Sequence, residues 1–165
     1  MGRWQTERRL APGQDPREAD LGHGSRGATL RTYLDTSALL KLYLEEEGSD
    51  LARRSIGDGN RTATSIIAHV ETRAALARRH QAGDLAASDY QRTIREFEQD
   101  WEHYTRVDVD EPLVREAAKL AGAHRLRAYD AIHLASALVF ERRTGSEMFF
   151  ASWDDRLDAA AAREV

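Results

Sequence analysis

The segment Leu30-Arg31-Thr32-Tyr33-Leu34-Asp35-Thr36-Ser37-Ala38-Leu39-Leu40-Lys41-Leu42-Tyr43-Leu44 decides the fold class of this chain. Leu30 to Leu34 is a short β-prone run that stops on Asp-Thr-Ser. A helical pattern starts at once, Ala38 to Glu46, with Leu39, Leu40, Tyr43 and Leu44 on one side and Gly48 closing it. The same alternation continues along the chain. Ser49 to Ile56 reads as a second short helix, Gly57 to Asn60 as a turn, and Arg61 to Thr64 as a strand. Ser65 is then a candidate N-cap for a helix whose apolar stripe is Ile66, Ile67, Val70, Ala74 and Ala77 and which Gly83 ends. Ser88 or Asp89 caps the next helix, which runs to about His103, and Thr105 to Asp108 reads as a strand. Pro112 sits in the first turn of a helix that ends near Gly122. Tyr129 to Arg143 is apolar on nearly every side, the signature of a buried helix, and Gly145 stops it. Met148 to Ala151 makes a last core strand, and Ser152-Trp153-Asp154-Asp155 leads into a terminal helix. Four short strands separated by helices predict an α/β domain with a central, mostly parallel sheet and helices on both faces.

Composition narrows the class further. The chain has 165 residues, 41% hydrophobic and 32% charged, enough for one domain with a real core. No apolar run approaches the roughly 20 residues of a membrane span, and Met1 to Leu10 lacks the apolar core of a secretory signal. The cytoplasm is the expected compartment. With no cysteine, disulfides, thiolate metal sites and a Cys nucleophile are excluded together. The net charge of −4 disfavours strong non-specific duplex binding, which neutralises many phosphates. Of the 24 basic residues all but Lys41 and Lys119 are arginine, a residue suited to bidentate phosphate contacts and equally a mark of GC-rich coding. Residues 1–28 hold 5 of the 11 glycines, 2 of the 3 prolines and no helical or strand period. They read as a flexible arm or a start placed too far upstream, with residues 29–165 as the folded domain.

Four acids fall in unusual places. Asp35 ends the first strand and Asp154 follows the last, where open α/β sheets gather their ligands. Glu71 lies on a helix beside its apolar stripe, and Asp130 opens the most apolar helix in the chain. Each has an ordinary structural reading. Asp35 and Asp154 are candidate N-caps, Asp130 suits a helix N-terminus, and Glu71 can pair with Arg73 or Arg78 on a solvated edge. If the four converge they cannot all stay ionised unaided, since like charges ~4 Å apart repel by about 4 kcal/mol at an effective dielectric near 20. Some protonate, or a cation neutralises them. An all-oxygen set favours Mg²⁺ or Mn²⁺ over zinc, and such a site points to phosphate chemistry.

Four segments carry a family resemblance: YLDTSALLKLY (Tyr33 to Tyr43), Ser65 to Glu71, RAYDAIHLA (Arg127 to Ala135) and SWDDRL (Ser152 to Leu157). Together they resemble the VapC-type PIN domain of bacterial type II toxin–antitoxin ribonucleases, over the chain from about Leu30 onward. The order Asp, Glu, Asp, Asp matches the family's. The resemblance implies that Asp35 and Asp130 are the principal metal ligands, for Mg²⁺ or alternatively Mn²⁺, and that Glu71 and Asp154 complete the catalytic set. It places Thr36, Ser37 and Ser152 as hydroxyl or N–H contacts near the acids, with Thr commoner than Ser at position 152. It favours Asp154 over the adjacent Asp155. It implies a cognate antitoxin whose tail arginine enters the acidic groove, an RNA substrate and a homodimer. The first 28 residues have no counterpart in the usual toxin, and Trp153 stands where Phe is more usual.

Other residues keep two readings. Arg73, with Arg78, Arg79 and His80, forms a basic helix edge that is either a solvated face or an RNA phosphate path, and Arg125 and Arg127 invite the same pair of readings beside Asp130. His133, inside the buried helix, reads as a satisfied core histidine. Tyr90, Ile94, Phe97 and Trp101 form a helical stripe that reads as core. Two other functions compete with a metal-dependent endoribonuclease. An aspartate-dependent phosphatase would need a second Asp two positions after Asp35, where Ser37 stands. A catalytically silent RNA-binding or scaffold module would be marked by loss of acids, and none is lost.

Overall fold

The computed structural model describes residues 31–56, 61–146 and 148–164. The expectations for residues 1–28 and for the Gly57–Asn60 turn lie outside the described residues. Four strands alternate with seven helices: β1 (Arg31–Leu34), α1 (Thr36–Tyr43), α2 (Ser49–Ile56), β2 (Arg61–Ser65), α3 (Ala68–Gln81), α4 (Ala87–Trp101), β3 (Thr105–Val107), α5 (Glu111–His124), α6 (Ala128–Thr144), β4 (Met148–Ala151) and α7 (Asp155–Ala161). The strands form one sheet in the order β3-β2-β1-β4, and every pairing is parallel. Central β1 pairs on one side with β2 (Thr32 opposite Thr62) and on the other with β4 (Leu34 opposite Ala151).

The alternation of side chains along a strand divides the interior in two. Tyr33, Ala63 and Phe150 face one side, where they pack with Leu113 and Ala117 of α5, Ala131, Leu134 and Leu138 of α6 and Leu157 of α7. Leu34 and Ala151 face the other, against Ala38 and Leu39 of α1, Ala68 of α3 and Phe97 and Trp101 of α4. Tyr33 stacks on Phe150 at 5.7 Å between ring centroids. Each face of the sheet thus has its own core and its own helices, as a parallel sheet with crossover connections requires. Helix α6 is the axle of the larger core, with eight buried residues from Ala131 to Phe140.

Several boundaries differ from expectation, and each difference has a local cause. Helix α1 starts at Thr36 because Asp35 caps it, and it stops at Tyr43, where Leu44 is already extended. Ser65 does not cap a helix. It ends β2, the strand pairing continues through the Ile66 N–H to the Val107 carbonyl at 2.9 Å, and α3 begins only at Ala68. The stripe expected to be buried on α3 is also turned. Val70 is 61% exposed and Ile66 39%, while Ala68, Thr72 and Leu76 face inward. Apolar residues are scattered around this helix, so its pattern selects no unique face. Neither Ser88 nor Asp89 caps α4, whose N-cap is Ala86, and Asp89 instead binds Arg92. Helix α5 runs past Gly122 to His124 and ends on Arg125 in the left-handed region at φ 55°.

Candidate active site

Asp35 sits where β1 meets α1, buried, with its backbone N–H donating to the Ala151 carbonyl of β4 at 3.1 Å. Its Oδ1 accepts from the Ala38 N–H (2.8 Å), the Ser37 hydroxyl lies 2.7 and 2.9 Å from its two oxygens, and the Ser152 hydroxyl reaches Oδ2 at 3.2 Å. Ser37 in turn accepts from the Trp153 N–H at 2.8 Å, and Ser152 accepts from the Asp154 N–H at 3.0 Å. The carboxyl ends of β1 and β4 are therefore knitted together by two serines. Burial pushes the Asp35 carboxyl above its ordinary value; the charge of His133 and the bonds from Ala38, Ser37 and Ser152 oppose that push.

Glu71, near the start of α3, makes no ion pair with Arg73 or Arg78. Its Oε2 accepts from the Thr36 hydroxyl at 2.6 Å and lies 2.8 Å from His133 Nε2. Burial raises this carboxyl, but the His133 bond and charge, the Thr36 bond and the Arg127 charge together take it below its ordinary value. Behind His133, the Tyr33 hydroxyl lies 3.1 Å from Nδ1. The expectation of a satisfied core histidine holds, and the ring is also tied to a candidate site residue.

Asp130 and Asp154 share one guanidinium. Arg127 Nε donates to Asp130 Oδ2 (2.7 Å), and Nη2 donates to Asp130 Oδ1 (3.1 Å) and Asp154 Oδ2 (3.0 Å). Hydrogen bonding to Asp130 first, then the charges of Asp130, Asp154 and Glu71, raise the Arg127 pKa. The other oxygen of Asp154 caps α7, accepting from the N–H groups of Arg156 and Leu157. Capping and the bond to Arg127 are thus carried by different oxygens of one side chain.

Of the nine sequence candidates, eight lie in this linked set: Asp35, Thr36, Ser37, Glu71, Arg127, Asp130, Ser152 and Asp154. Arg73 does not. Its guanidinium binds Glu98 of α4, which also holds His69. Sequence reading missed Asp158, one helical turn after Asp154. Burial, then the charges of Asp35, Asp155 and Asp154, push its carboxyl up to about 7. The signal was an i, i+4 acid pair at the head of a helix that follows a strand-end aspartate. Trp153 was also undervalued. Its indole lies against Gly48 and beneath Lys41, whose Nζ is 5.3 Å from the ring, so the 45–48 turn braces the loop between Ser152 and Asp154.

Among the described residues no three acid or histidine groups form a ready-made metal cage. The donor set nevertheless fits a hard cation. It is all oxygen, burial raises the Asp35 carboxyl and burial with the charges of Asp35, Asp155 and Asp154 raises that of Asp158, and a guanidinium bridges two of its acids as a stand-in positive charge.

A parallel sheet with acids at the C-terminal ends of β1 and β4 and on the two helices beside them is the plan of a PIN domain, and the PIN domain family model matches residues 32–162. Ribonuclease VapC45 and Ribonuclease VapC49 from two strains of Mycobacterium tuberculosis are each 38% identical over 130 residues, covering 78% of this chain and 88% of theirs. A toxin–antitoxin complex from Klebsiella pneumoniae matches the fold at TM-score 0.52 and 17% identity, over 74% of this chain and 86% of that one. VapBC2 from Rickettsia felis, bound to a promoter DNA fragment, matches at TM-score 0.50 and 10% identity, over 76% of this chain and all of the other. The chain belongs to the PIN-domain family, in its VapC-type ribonuclease branch.

Proposed function

We propose that this protein is the toxin of a type II toxin–antitoxin pair, a divalent-metal-dependent endoribonuclease that hydrolyses RNA phosphodiester bonds. The observation that carries the reading is the linked set around Asp35. Two strand ends and two helix starts, up to 119 residues apart in sequence, bring acids of the family's order into one hydrogen-bonded and electrostatically coupled group. A bound Mg²⁺ or Mn²⁺ would polarise the phosphate and lower the pKa of a water. Asp35 and Asp130 would hold that ion. Glu71 and Asp154 would orient the attacking water and accept its proton. Thr36, Ser37 and Ser152 keep those carboxylates aimed, and Arg127, released from its acid partners, is placed to meet a phosphate oxygen. Arg73, held by Glu98, is assigned no role in the reaction.

A cognate antitoxin, an RNA substrate and a second copy of the chain are the partners of this reading, and the cytoplasm is its compartment. No helix among the described residues is long and apolar enough to cross a membrane. The deciding experiment is RNA cleavage by purified wild type and Asp35→Ala, each with Mg²⁺, Mn²⁺ or EDTA. Metal-dependent cleavage that disappears in the variant is the expected result. Equal cleavage by both proteins would refute the assignment.

A further inference from the structure

We propose that His133, with Tyr33 behind it, is a positioning residue that fixes Glu71 so that one carboxylate oxygen faces the reaction; this rests on the ribonuclease reading above. Two elements distant in sequence converge on a single oxygen of Glu71. Thr36 from α1 and His133 from α6 both reach Oε2, at 2.6 and 2.8 Å, and Thr36 Oγ1 lies 3.1 Å from His133 Nε2. Among the described residues no protein donor bonds Oε1. The carboxylate is therefore anchored through one oxygen and presents the other, as a group that must orient water or an ion requires.

The hydrogen-bond inventory fixes the direction of the bonds to Glu71. An ionised carboxylate only accepts. The single hydroxyl proton of Thr36 goes to Oε2, so His133 Nε2 must carry a proton to hold the same oxygen. On the other side of the ring, Nδ1 and the Tyr33 hydroxyl share a hydrogen bond of 3.1 Å that fixes the ring's orientation. Tyr33 is suited to that task. It is fully buried, its ring stacked on Phe150 and set edge-on to His133, so its hydroxyl is held in place behind the imidazole. Asp35 follows β1 two residues after Tyr33, and Asp130 stands on α6 three residues before His133. The segments that carry the proposed metal ligands thus also carry the relay that aims Glu71.

A core histidine that only satisfies its own polar atoms and a positioning histidine make different demands on substitution. Leucine fills the space and donates nothing. Glutamine carries an amide N–H near the place of Nε2. The test compares wild type, His133→Leu, His133→Gln and Tyr33→Phe as full-length proteins in steady-state RNA cleavage, with Asp35→Ala as the inactive reference. His133→Leu is expected to lower kcat at least tenfold with KM for RNA changed less than threefold. His133→Gln is expected to recover at least a third of wild-type kcat, and Tyr33→Phe to fall between. Equal kcat in all three variants and wild type, or equal losses in the Leu and Gln variants with melting temperatures unchanged, would overturn the proposal.

A second measurement needs no activity. Long-range ¹H–¹⁵N spectra of the metal-free protein, with the His133 signals assigned by their loss in His133→Gln, should show a proton on Nε2. Glu71→Gln should move that resonance and Glu98→Gln, which touches His69, should not. An Nδ1–H tautomer, or a resonance indifferent to Glu71, would refute the relay even if no variant folded well enough to assay. If wild type cleaves no RNA while the spectra show the coupling, the ribonuclease reading fails and the relay stands as geometry.

Discussion

Asp158 makes the crowding of carboxylates measurable. Its carboxyl rises from an ordinary 3.8 to about 7, through burial first and then the negative charges of Asp35, Asp155 and Asp154. The folded state therefore holds this proton more tightly than the unfolded chain does. The stability linked to it is fully present below the unfolded value and is lost as pH rises through the folded one. Full loss across that interval is worth about 4 kcal/mol, of which about 2 kcal/mol falls between about pH 5.5 and pH 8. Partial exposure of the side chain reduces this to about 1 kcal/mol, or about 3 °C in a domain of this size. Thermal melts of wild type and Asp158→Asn, in EDTA at those two pH values, read it directly. Wild type should lose about 1 kcal/mol more than Asp158→Asn on going to the higher pH, and the variant should be the more stable protein there. Saturating Mn²⁺ should shrink the difference, because an ion bound by the folded state supplies the missing positive charge. Parallel slopes for the two proteins, or a variant that is less stable at high pH, would refute the claim that Asp158 is pressed against a shared acidic group.

Three further outcomes follow from the same geometry. Asp35→Asn should raise the metal-free melting temperature at pH 8, since burial disfavours the charged carboxylate there, while abolishing cleavage and the melting-temperature gain from Mn²⁺; a differential scan with and without the ion checks both. Arg127→Gln should cost about 1 kcal/mol in EDTA at low salt, because the guanidinium is largely exposed and its ion pairs are screened, and the loss should vanish at saturating Mn²⁺. Gly48→Ala should destabilise by about 1–2 kcal/mol from its φ of +89° alone; with the new Cβ only 2.5 Å from Trp153 Nε1, it should also shift tryptophan fluorescence and lower kcat by moving the loop before Asp154.

What the sequence made legible depends on how local each determinant is. Strand β4 and the Gly145 stop before it follow from four apolar residues and a left-handed glycine, both readable in place. Helix α6 declares its burial by being apolar all round. Helix α3 does not declare its face, and the side that turns inward is set by what β2 and α4 leave open: Phe97 and Trp101 hold His69, and Glu98 holds Arg73. No periodicity on α3 contains that information, so its stripe was misread, and the Arg73–Glu98 pair could not be foreseen. Asp158 and His133 stayed hidden for a related reason. The partners of His133 lie 62 to 100 residues away and Asp35 lies 123 residues from Asp158, distances that the fold alone closes.

The acids show why capping and site chemistry could not be separated on the page of the sequence. An aspartate that follows a strand and precedes a helix is held by the helix's own unpaired N–H groups, which favour its charged form and fix its torsions. Asp154 uses Oδ1 in this way and leaves Oδ2 for Arg127, and Glu71 reaches the same division through Thr36 and His133. A carboxylate anchored by one oxygen loses little further freedom when the other takes a ligand, so the structural use prepares the chemical one. Asp35 and Asp130 depart from this: both oxygens of Asp35 are taken up by Ser37, Ala38 and Ser152, and both of Asp130 by Arg127. A cation at Asp35 must therefore displace or share the Ser37 and Ser152 bonds. That makes those two hydroxyls, which also brace Trp153 and Asp154, the point at which ion binding and the strand-end geometry are coupled.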